Sequence, residues 1–286
     1  MRFVLPGLLT ALIACSAVPG QQRPLLTDDV DITPPGAFEV GAGVDFFQGA
    51  KFPLSGIKGD LTRVGDIRVK TGFASNVEFQ VEGVLQNYVA ITSINSAGVP
   101  IAFNGNSAND IGDFRISTKF KLRNETQYLP AIGFKVGFDL PNSNQTRGIG
   151  TNQLNVFGKV ILQKKFGEVR NMTPRLNLMG NIGLEIMTAP TQLFSQNDVF
   201  LYGLAGIFRV SDNVNIVSEV NGRVNTRGVA PLGTESLGQF RLGAQVRASG
   251  LRFDAAGAFG LTKYSPQTGF IFGVTYLSPS IFTPAK

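Results

Sequence analysis

Apolar and polar residues alternate along most of this chain in runs of about ten positions. The clearest run covers residues 131 to 140. Its even positions are Ile132, Phe134, Val136, Phe138 and Leu140, and its odd positions include Gly133, Lys135, Gly137 and Asp139. Such a pattern predicts a β-strand with one apolar and one polar face. Because it returns about a dozen times between Phe38 and Tyr276, it is typical of a transmembrane β-barrel with a polar lumen.

The repeated pattern predicts an all-β fold, a single antiparallel up-and-down transmembrane β-barrel of about 12 strands. The predicted strands cover residues 37–48, 61–71, 77–90, 112–123, 131–140, 153–166, 175–187, 199–210, 214–225, 238–248, 251–262 and 268–277. With an even number of strands, both termini are expected on the periplasmic side. The predicted domains are a signal peptide at 1–20, a periplasmic N-terminal segment at 21–36 and the barrel at 37–286.

The predicted connections alternate in length, which is a property of outer-membrane barrels. They are short after even strands, as at 211–213 and 249–250, and mostly longer after odd strands, up to 91–111. Two short turns predict the partners across their hairpins, because outward side chains must pair with outward side chains. These pairs are Ala248 with Leu251, Val246 with Phe253, Phe240 with Phe259, Val210 with Val214, Phe208 with Ile216, and Leu204 with Val220.

The alternative fold is a soluble β-sandwich whose core is filled by the 23 phenylalanines. A sandwich would have to bury one of the two faces of each strand. If the phenylalanines covered the outside, the core would contain charged residues, which is costly. Those residues include Arg115, Lys119, Lys121, Asp139, Arg241 and Asp254. A water-filled lumen removes this cost. Since tryptophan is absent, phenylalanine is expected to form most of the aromatic girdles.

The first 20 residues have the pattern of a secretory signal peptide. A single positive charge at Arg2 precedes an apolar run from Phe3 to Ala14, and small residues follow. We therefore expect the protein to be exported, with the cell outer membrane as its location.

Cys15 is the only cysteine, and it lies within this leader. The sequence from Leu12 to Ser16 resembles a lipobox, in which the cysteine is acylated and becomes the new N-terminus. The alternative is ordinary cleavage after Ala17 or Gly20, because the small residues at these positions also suit the general signal peptidase. In either case the mature barrel is predicted to have no internal disulfide.

Several kinds of chemistry are excluded by composition. The sequence has no histidine and no cysteine outside the leader, so Ser-His or thiol catalysis and His or Cys metal sites are unavailable to the mature chain. We expect no enzymatic activity, no cofactor and no metal site. The net charge of +6 is dispersed, with no basic run longer than Lys164-Lys165, so nucleic acid is not an expected partner.

The charged residues with inward parity are the candidates for lining the lumen. They are Arg68, Lys70, Glu78, Glu82, Arg115, Lys119, Lys121, Lys135, Asp139, Glu219, Arg223, Arg241, Arg247 and Asp254. Three cross-strand ion pairs are predicted among inward residues, namely Lys70 with Glu78, Asp66 with Glu82, and Arg115 with Asp139. Such pairs are either purely structural or set a transverse field that selects polar or zwitterionic solutes.

One predicted cross-strand pair has two like charges. The register that joins Arg115 to Asp139 also places Lys119 opposite Lys135, with Lys121 close by. Facing ammonium groups require an anion or water between them. The candidates are an anionic solute, an acidic side chain from a neighbouring strand, and water.

An acidic cluster lies in the N-terminal segment, at Asp28, Asp29 and Asp31. A calcium site is one interpretation, because carboxylates suit hard cations, but the ligand alternation and glycine turn of known calcium loops are missing. The alternatives are a solvated or an arginine-paired cluster. Because this segment precedes the first strand, it is expected to start on the periplasmic side, from which it could fold into the lumen as a plug.

Several motifs resemble those of an outer-membrane family named for the MetA pathway of phenol degradation. Residues 23–29 followed by 35–39 resemble the family's barrel start, and residues 112–121 resemble its G-D-x-x-x-x-x-K-aromatic strand. Residues 137–141 resemble a strand that ends in L-P before a glycine-rich loop, here 147–151. The resemblance covers the mature chain and implies an outer-membrane barrel described as a transporter or channel for small organic compounds. It implies no catalytic residues.

The end of the chain departs from that family. Such barrels usually finish on a terminal aromatic residue, whereas here the last strand ends at Leu277 and the chain continues to Lys286. We therefore expect Tyr276 or Phe282 to serve the barrel-assembly machinery.

The predicted function is a channel for passive transport of small organic solutes through a narrow polar lumen. The alternative is a closed structural or adhesive outer-membrane barrel that acts through its extracellular loops. The expected partners are outer-membrane lipid, the assembly machinery and a small-molecule solute, and the sequence leaves the oligomeric state open.

Overall fold

The computed structural model describes residues 23–95, 97–102, 105–169, 173–191 and 196–283. Their strands form one antiparallel sheet that closes into a barrel of twelve strands, because β2 pairs with both β1 and β3. The predicted signal peptide, Cys15 and the end of the chain after residue 283 lie outside the described residues.

The barrel strands are named in chain order, together with one short extra strand, β4. Their bounds are β1 Phe38–Phe52, β2 Ile57–Ala74, β3 Val77–Ile94, β4 Ser107–Asp110, β5 Arg115–Arg123, β6 Ala131–Asp139, β7 Asn155–Val169, β8 Thr173–Thr188, β9 Gln196–Arg209, β10 Val214–Asn225, β11 Leu237–Ala248, β12 Leu251–Gly260 and β13 Thr268–Leu277. The extra strand pairs with the end of β3, and a short 3-10 helix covers Gln145–Arg147. Among the described residues, no helix has the length and hydropathy to cross a membrane.

The alternation in the sequence separates the two faces of the barrel wall. On β9, Phe200 and Leu204 are exposed on the outside, whereas Val199 and Ala205 are buried. On β6, Phe134 is exposed while Lys135 is only 1% exposed. Since successive side chains of a strand point to opposite faces, the apolar residues cover the exterior and the charged residues lie inside. This arrangement is the reverse of that in a soluble sandwich, which confirms the predicted barrel.

The hairpin registers follow the predictions at both short turns. Ala248 pairs with Leu251 and Phe240 with Phe259 across β11 and β12, and the predicted partners across β9 and β10 are also correct. These registers are fixed locally, because a turn of two or three residues leaves a strand little freedom to slide.

The predicted pairing between β2 and β3 is wrong by two residues. Lys70 lies opposite Gln80, and Arg68 lies opposite Glu82. The predicted pairs are symmetric about Ala74, whereas the turn is formed by Ser75 and Asn76, between Ala74 and Val77. A bulge between Gly72 and Ala74 offsets part of this difference. Lys70 and Glu78, and likewise Asp66 and Glu82, are therefore not cross-strand partners, and Lys70 binds Glu39 of β1 at 2.6 Å.

The two ends of the barrel differ in their connections. The turn end has the start of β1, the end of β13 and short connections such as 249–250. The loop end has the longer connections, including 226–236. Two details differ from the prediction: β1 and β2 extend to a four-residue turn at 53–56, and β4 was not predicted.

Candidate functional site: the barrel interior

The structure places all fourteen candidate lumen residues on the inward side of the wall. Eight are buried, namely Arg68, Lys70, Glu78, Lys119, Lys135, Glu219, Arg241 and Asp254. Six are half-buried, namely Glu82, Arg115, Lys121, Asp139, Arg223 and Arg247. Ionised side chains at such depth need partners of opposite charge. Many of these partners are other wall residues, and for Lys119, Lys121, Lys135 and Asp254 they include residues of the N-terminal segment.

The N-terminal segment, residues 23–36, lies inside the barrel. Its backbone amides are bound by side chains of the wall: Leu26 N donates to Glu219 at 2.8 Å, Val30 N to Gln163 at 2.8 Å and Thr33 N to Glu78 at 2.5 Å. These three partners belong to β10, β7 and β3, on different sides of the barrel. The wall therefore satisfies the backbone of an extended segment that has no sheet partner over most of its length.

The acidic residues of the segment meet three lysines of the wall. Asp28 contacts Lys135 at 3.1 Å and forms a still shorter contact with Lys159, and Asp29 contacts Lys119 at 3.1 Å. Lys119, Lys135 and Lys159 lie opposite one another on β5, β6 and β7, and they are called the lysine cluster below. The segment thus supplies much of the negative charge that the facing Lys119 and Lys135 require.

Acidic side chains of β3 supply the remaining charge. Glu78 lies 3.1 Å from Lys119, and Glu82 lies 3.6 Å from Lys135. Both an acid from a neighbouring strand and the N-terminal segment therefore compensate the like-charged pair.

The third acidic residue of the segment, Asp31, is paired with lysines as well. It contacts Lys165 at 2.7 Å and Lys121 at 3.9 Å. Within the described residues, no group of three or more His, Cys, Asp or Glu side chains is arranged to hold a metal ion. Asp28, Asp29 and Asp31 are thus all paired with lysines rather than with arginine, and Asp28 and Asp29 are fully buried.

The pKa values of two buried aspartates of the segment are shifted in opposite directions. For Asp29, burial raises the pKa to about 7, against the opposing effect of the Lys119 ammonium. For Asp28, burial alone would also raise the pKa, but Lys135 and Lys159 together hold it well below its usual range. Asp28 is therefore charged throughout the physiological range, whereas Asp29 titrates near neutrality.

At its start, the segment places one cation among three carboxylates. The Arg23 guanidinium lies 2.5 Å from Asp66, 3.5 Å from Asp45 and 3.6 Å from Asp254. These residues of β2, β1 and β12 are called the acid cluster below. Both carboxylate oxygens of Asp254 are buried without a hydrogen bond in the described structure. Arg23 therefore compensates the charge of Asp254 but donates no hydrogen bond to it.

Two apolar side chains of the segment enter pockets in the otherwise polar inner wall. Leu25 packs against a group on β8, β9 and β10, which consists of Met179, Ala205, Ile207 and Val217. Val30 packs against Ala131 of β6 and Ile161 of β7. Both side chains are fully buried, and this burial adds an apolar contribution to docking of the segment.

Two cavities lie on either side of the segment. The first, of about 330 Å³, is lined by Leu26 and Thr27 of the segment and by Arg115 and Arg223 near the loop end. The second, of about 350 Å³, lies at the turn end, next to Arg247. The segment thus lies between open space on the loop side and open space on the turn side.

The other candidates near the loop end are bound to the wall itself. Arg115 forms the predicted ion pair with Asp139, and the pair is bidentate, with distances of 2.6 and 2.9 Å. Arg223 donates to the carbonyl oxygens of Gly233 and Glu235, which belong to the loop before β11. These contacts stabilise the rim of the loop-side cavity.

The candidates on β11 differ in their surroundings. Arg241 lies 3.7 Å from Glu219 and donates to the carbonyl oxygen of Pro24 in the segment. Arg247 lies opposite Arg252 at the turn end and lines the second cavity. Arg241 therefore helps hold the segment, whereas Arg247 lies at the turn-side mouth.

Several wall residues that bind the segment were not among the sequence candidates, and three of them show why. Lys159 binds Asp28, Gln163 binds Val30, and Asn181 exchanges hydrogen bonds with the backbone of Asp28 at 2.7 and 2.8 Å. All three have inward parity on predicted strands, so the alternation contained the signal. Gln163 and Asn181 are uncharged, and no partner was predicted for Lys159. None of them could be selected without knowing the path of the segment.

Comparisons with known proteins support the fold. No family model matches the sequence, so the resemblance to the MetA-pathway family stays a prediction, and a search among curated proteins finds no significant relative. Among solved structures, the COG4313 outer membrane channel from Pseudomonas putida F1 is similar with a TM-score of 0.61 and 14% identity, over 87% of this chain and 97% of that one.

Two further barrels are more distant. The NanC porin has a TM-score of 0.48 at 8% identity, over 84% of this chain and 98% of its own. The TodX monoaromatic hydrocarbon channel has a TM-score of 0.42 at 9% identity, over 85% and 89%. With TM-scores below 0.5 they add nothing to the first likeness. This chain therefore shares its fold, over most of its length, with the barrel of the Pseudomonas channel.

Proposed function

We propose that this protein is a passive channel of the outer membrane for small organic solutes, closed at rest by its N-terminal segment. The observation that carries the proposal is the segment itself, which crosses a charged interior between two cavities. Its contacts are ion pairs and hydrogen bonds to side chains rather than a sheet register, so it can leave without unravelling the wall. The wall strands keep their own hydrogen bonds in either state.

The exterior of the barrel supports a location in the membrane. Outward residues such as Phe208, Leu204 and Phe253 are well exposed, and a closed barrel leaves no unpaired strand edge in lipid. In this orientation the turn end and both termini face the periplasm, and the longer loops face outward. The partners we propose are outer-membrane lipid, the assembly machinery and the solute.

Transport would be diffusion biased by the charges of the lumen. When the segment withdraws toward the turn end, the two cavities join and the lysine cluster and acid cluster face the opening. Segment withdrawal is therefore the proposed gating step.

The alternative is a closed structural or adhesive barrel that acts through its loops. Its supporting observation is that the segment is well bound, with residues such as Leu25 and Asp29 fully buried. In that case the segment would be a permanent core, and no solute would pass.

A disulfide that locks the segment separates these functions. The Thr27 Cβ lies 3.4 Å from the position of a Cβ on Gly203 of β9, which is close to disulfide geometry. We expect the Thr27→Cys/Gly203→Cys protein to be silent in planar bilayers when oxidised and to conduct after reduction. Thr27→Cys alone is the matched control, because a side chain at Gly203 would lie 2.7 Å from Thr27 Oγ1 and would itself disturb the segment. It should conduct under both conditions.

Two results would contradict the proposal. Equal conductance in the oxidised and reduced states would exclude the segment as the gate. Absence of both conductance and solute uptake into liposomes for the reduced, folded protein would exclude the channel and favour the structural barrel.

A further inference from the structure

We propose that the lysine cluster and the pocket of Val30 form a binding site for small organic carboxylates with a compact apolar body. In this structure Asp28, Asp29 and Val30 occupy the site as an internal mimic of the ligand. The inference deepens the proposed function and rests on it for access to the site, because the segment must withdraw before a solute can bind.

The charges of the site indicate an anion. Three ammonium groups lie side by side across β5, β6 and β7, since Lys135 faces both Lys119 and Lys159. Lys119 and Lys135 keep Glu78 and Glu82 as neighbours when the segment leaves. Among the described residues, the ion pair of Lys159 is formed with Asp28. Withdrawal therefore leaves the cluster with excess positive charge at Lys159.

The chemical class of the present occupant narrows the anion to a carboxylate. Asp28 is bound by two lysines through its carboxylate oxygens, and its backbone lies against the Asn181 amide. The wall therefore contains a place for a planar carboxylate, with ammonium donors on one side and an amide next to it.

The apolar part of the ligand follows from Val30. Its side chain is fully buried against Ala131 and Ile161. These residues lie on the same two strands as Lys135 and Lys159, and Gly133 lies between Ala131 and Lys135 without a side chain to fill the space. A pocket for a branched aliphatic group thus adjoins the ammonium groups. An ordinary ion-pair core has no need for such a pocket.

Isovalerate is the appropriate probe, because it joins a carboxylate to the same branched group that Val30 presents. Binding is measured by titration calorimetry on the folded full-length mature barrel in detergent. The Asp28→Asn protein keeps the shape of the segment but removes the charge that Lys135 and Lys159 share. It should bind isovalerate about tenfold tighter than the wild type, because its segment docks less tightly and the open site is more populated.

Adding Lys159→Gln to this protein should reduce the affinity by about tenfold or more. Lys164→Gln is the matched control, because Lys164 pairs with Glu125 near the turn end, and it should change nothing. Acetate should bind more weakly than isovalerate, and isovaleramide should not compete. Retained SDS-resistant mobility verifies that each variant is folded.

The proposal is overturned if the wild type and the Asp28→Asn protein bind equally, if neither binds, or if adding Lys159→Gln has no effect. Equal binding of acetate and isovalerate would show that the apolar pocket does not contribute to binding. Competition by isovaleramide would show that the site does not require a charged ligand. Binding without conductance would retain the site and reject the channel. Conductance without binding would retain the channel and reject the site.

Discussion

The two ends of the N-terminal segment are held by opposite arrangements of charge. At the start, the single guanidinium of Arg23 lies among three carboxylates. Further along, Asp28 and Asp29 lie among three lysines that also have glutamates beside them. At the start, one residue of the segment contacts all three carboxylates of the wall. At the other end, two aspartates of the segment and two glutamates of the wall share the three lysines.

This difference indicates at which end the docking of the segment is more sensitive to the loss of one charge. Removing one member of a buried ion pair leaves an uncompensated charge, which costs more than the pair contributes. At the acid cluster, loss of Arg23 removes the ion pair within 4 Å that the described residues give Asp254, whereas Asp45 keeps Arg63 at 3.3 Å. At the lysine cluster, Glu78 remains next to Lys119 when Asp29 is lost. The acid cluster should therefore be the more sensitive end.

The largest expected effect is that of Arg23→Ala. It should weaken docking of the segment by about 3–5 kcal/mol, because three buried carboxylates lose their shared cation. The measurement is the maleimide labelling rate of a cysteine introduced at Thr27, together with single-channel conductance, and both should rise. An unchanged labelling rate would show that the acid cluster does not hold the segment.

A smaller effect is expected from Asp28→Asn at the distributed end. The amide keeps the shape and some hydrogen bonds but loses the charge that two lysines share, so docking should weaken by about 1–3 kcal/mol. The same labelling assay measures it. Asp212→Asn is the matched control, because Asp212 forms an exposed pair with Arg209, and its effect should be near zero. An effect larger than that of Arg23→Ala would reverse the comparison.

Docking of the segment at the lysine cluster should depend on pH through Asp29. Docked Asp29 has a pKa of about 7, above its ordinary value of 3.8, so the docked state binds the proton more tightly than the released state. Docking is therefore strongest below pH 3.8 and is weakened as pH rises to 7. Acidification from pH 7 to 5 should favour the docked state by about tenfold per pH unit, which lowers conductance.

Asp29→Asn should abolish most of that pH response. The charged groups around Asp29 are Lys119, Lys70, Glu78 and Asp31, and the Asp28 pKa lies below the range tested. Conductance that rises on acidification, or an unchanged response in Asp29→Asn, would show that another group controls the gate.

The smallest expected effect concerns the point where the segment enters the barrel. The C-terminal tail holds this point, because Ile281 N donates to the Gly36 carbonyl at 2.8 Å and the Phe282 ring packs edge-on against Phe38 at 5.9 Å. Phe282→Ala should weaken docking by about 0.5–1.5 kcal/mol. The labelling assay at position 27 measures it, with the exposed Ile281→Ala as control. Equal effects of the two variants would exclude the ring contact as the cause.

The inner wall and the segment also differ in how far sequence could predict them. The alternation around Phe134 and the turn at Ser249-Gly250 gave the correct faces and partners, because both depend on residues close in the chain. The β2 and β3 register was missed, since the hydrophobic pattern indicates neither that the turn lies at Ser75 and Asn76 nor that a bulge precedes Ala74.

The candidate site was predicted only in part. The facing lysines Lys119 and Lys135 and the need for an anion followed from register. That Asp29 meets this need did not follow, because Asp29 and Lys119 are 90 positions apart. Lys159 was missed for the same reason.

The sequence by itself determined the barrel, the number of its strands and the polarity of its two faces. A period of two residues and short turns specify these features locally, wherever the strand lies. Only the tertiary structure decided that the interior is occupied, and by which residues. An extended segment has no period that reports its path, and its partners, such as Arg23 and the Phe272 carbonyl 249 positions away, meet only when the barrel has closed around it.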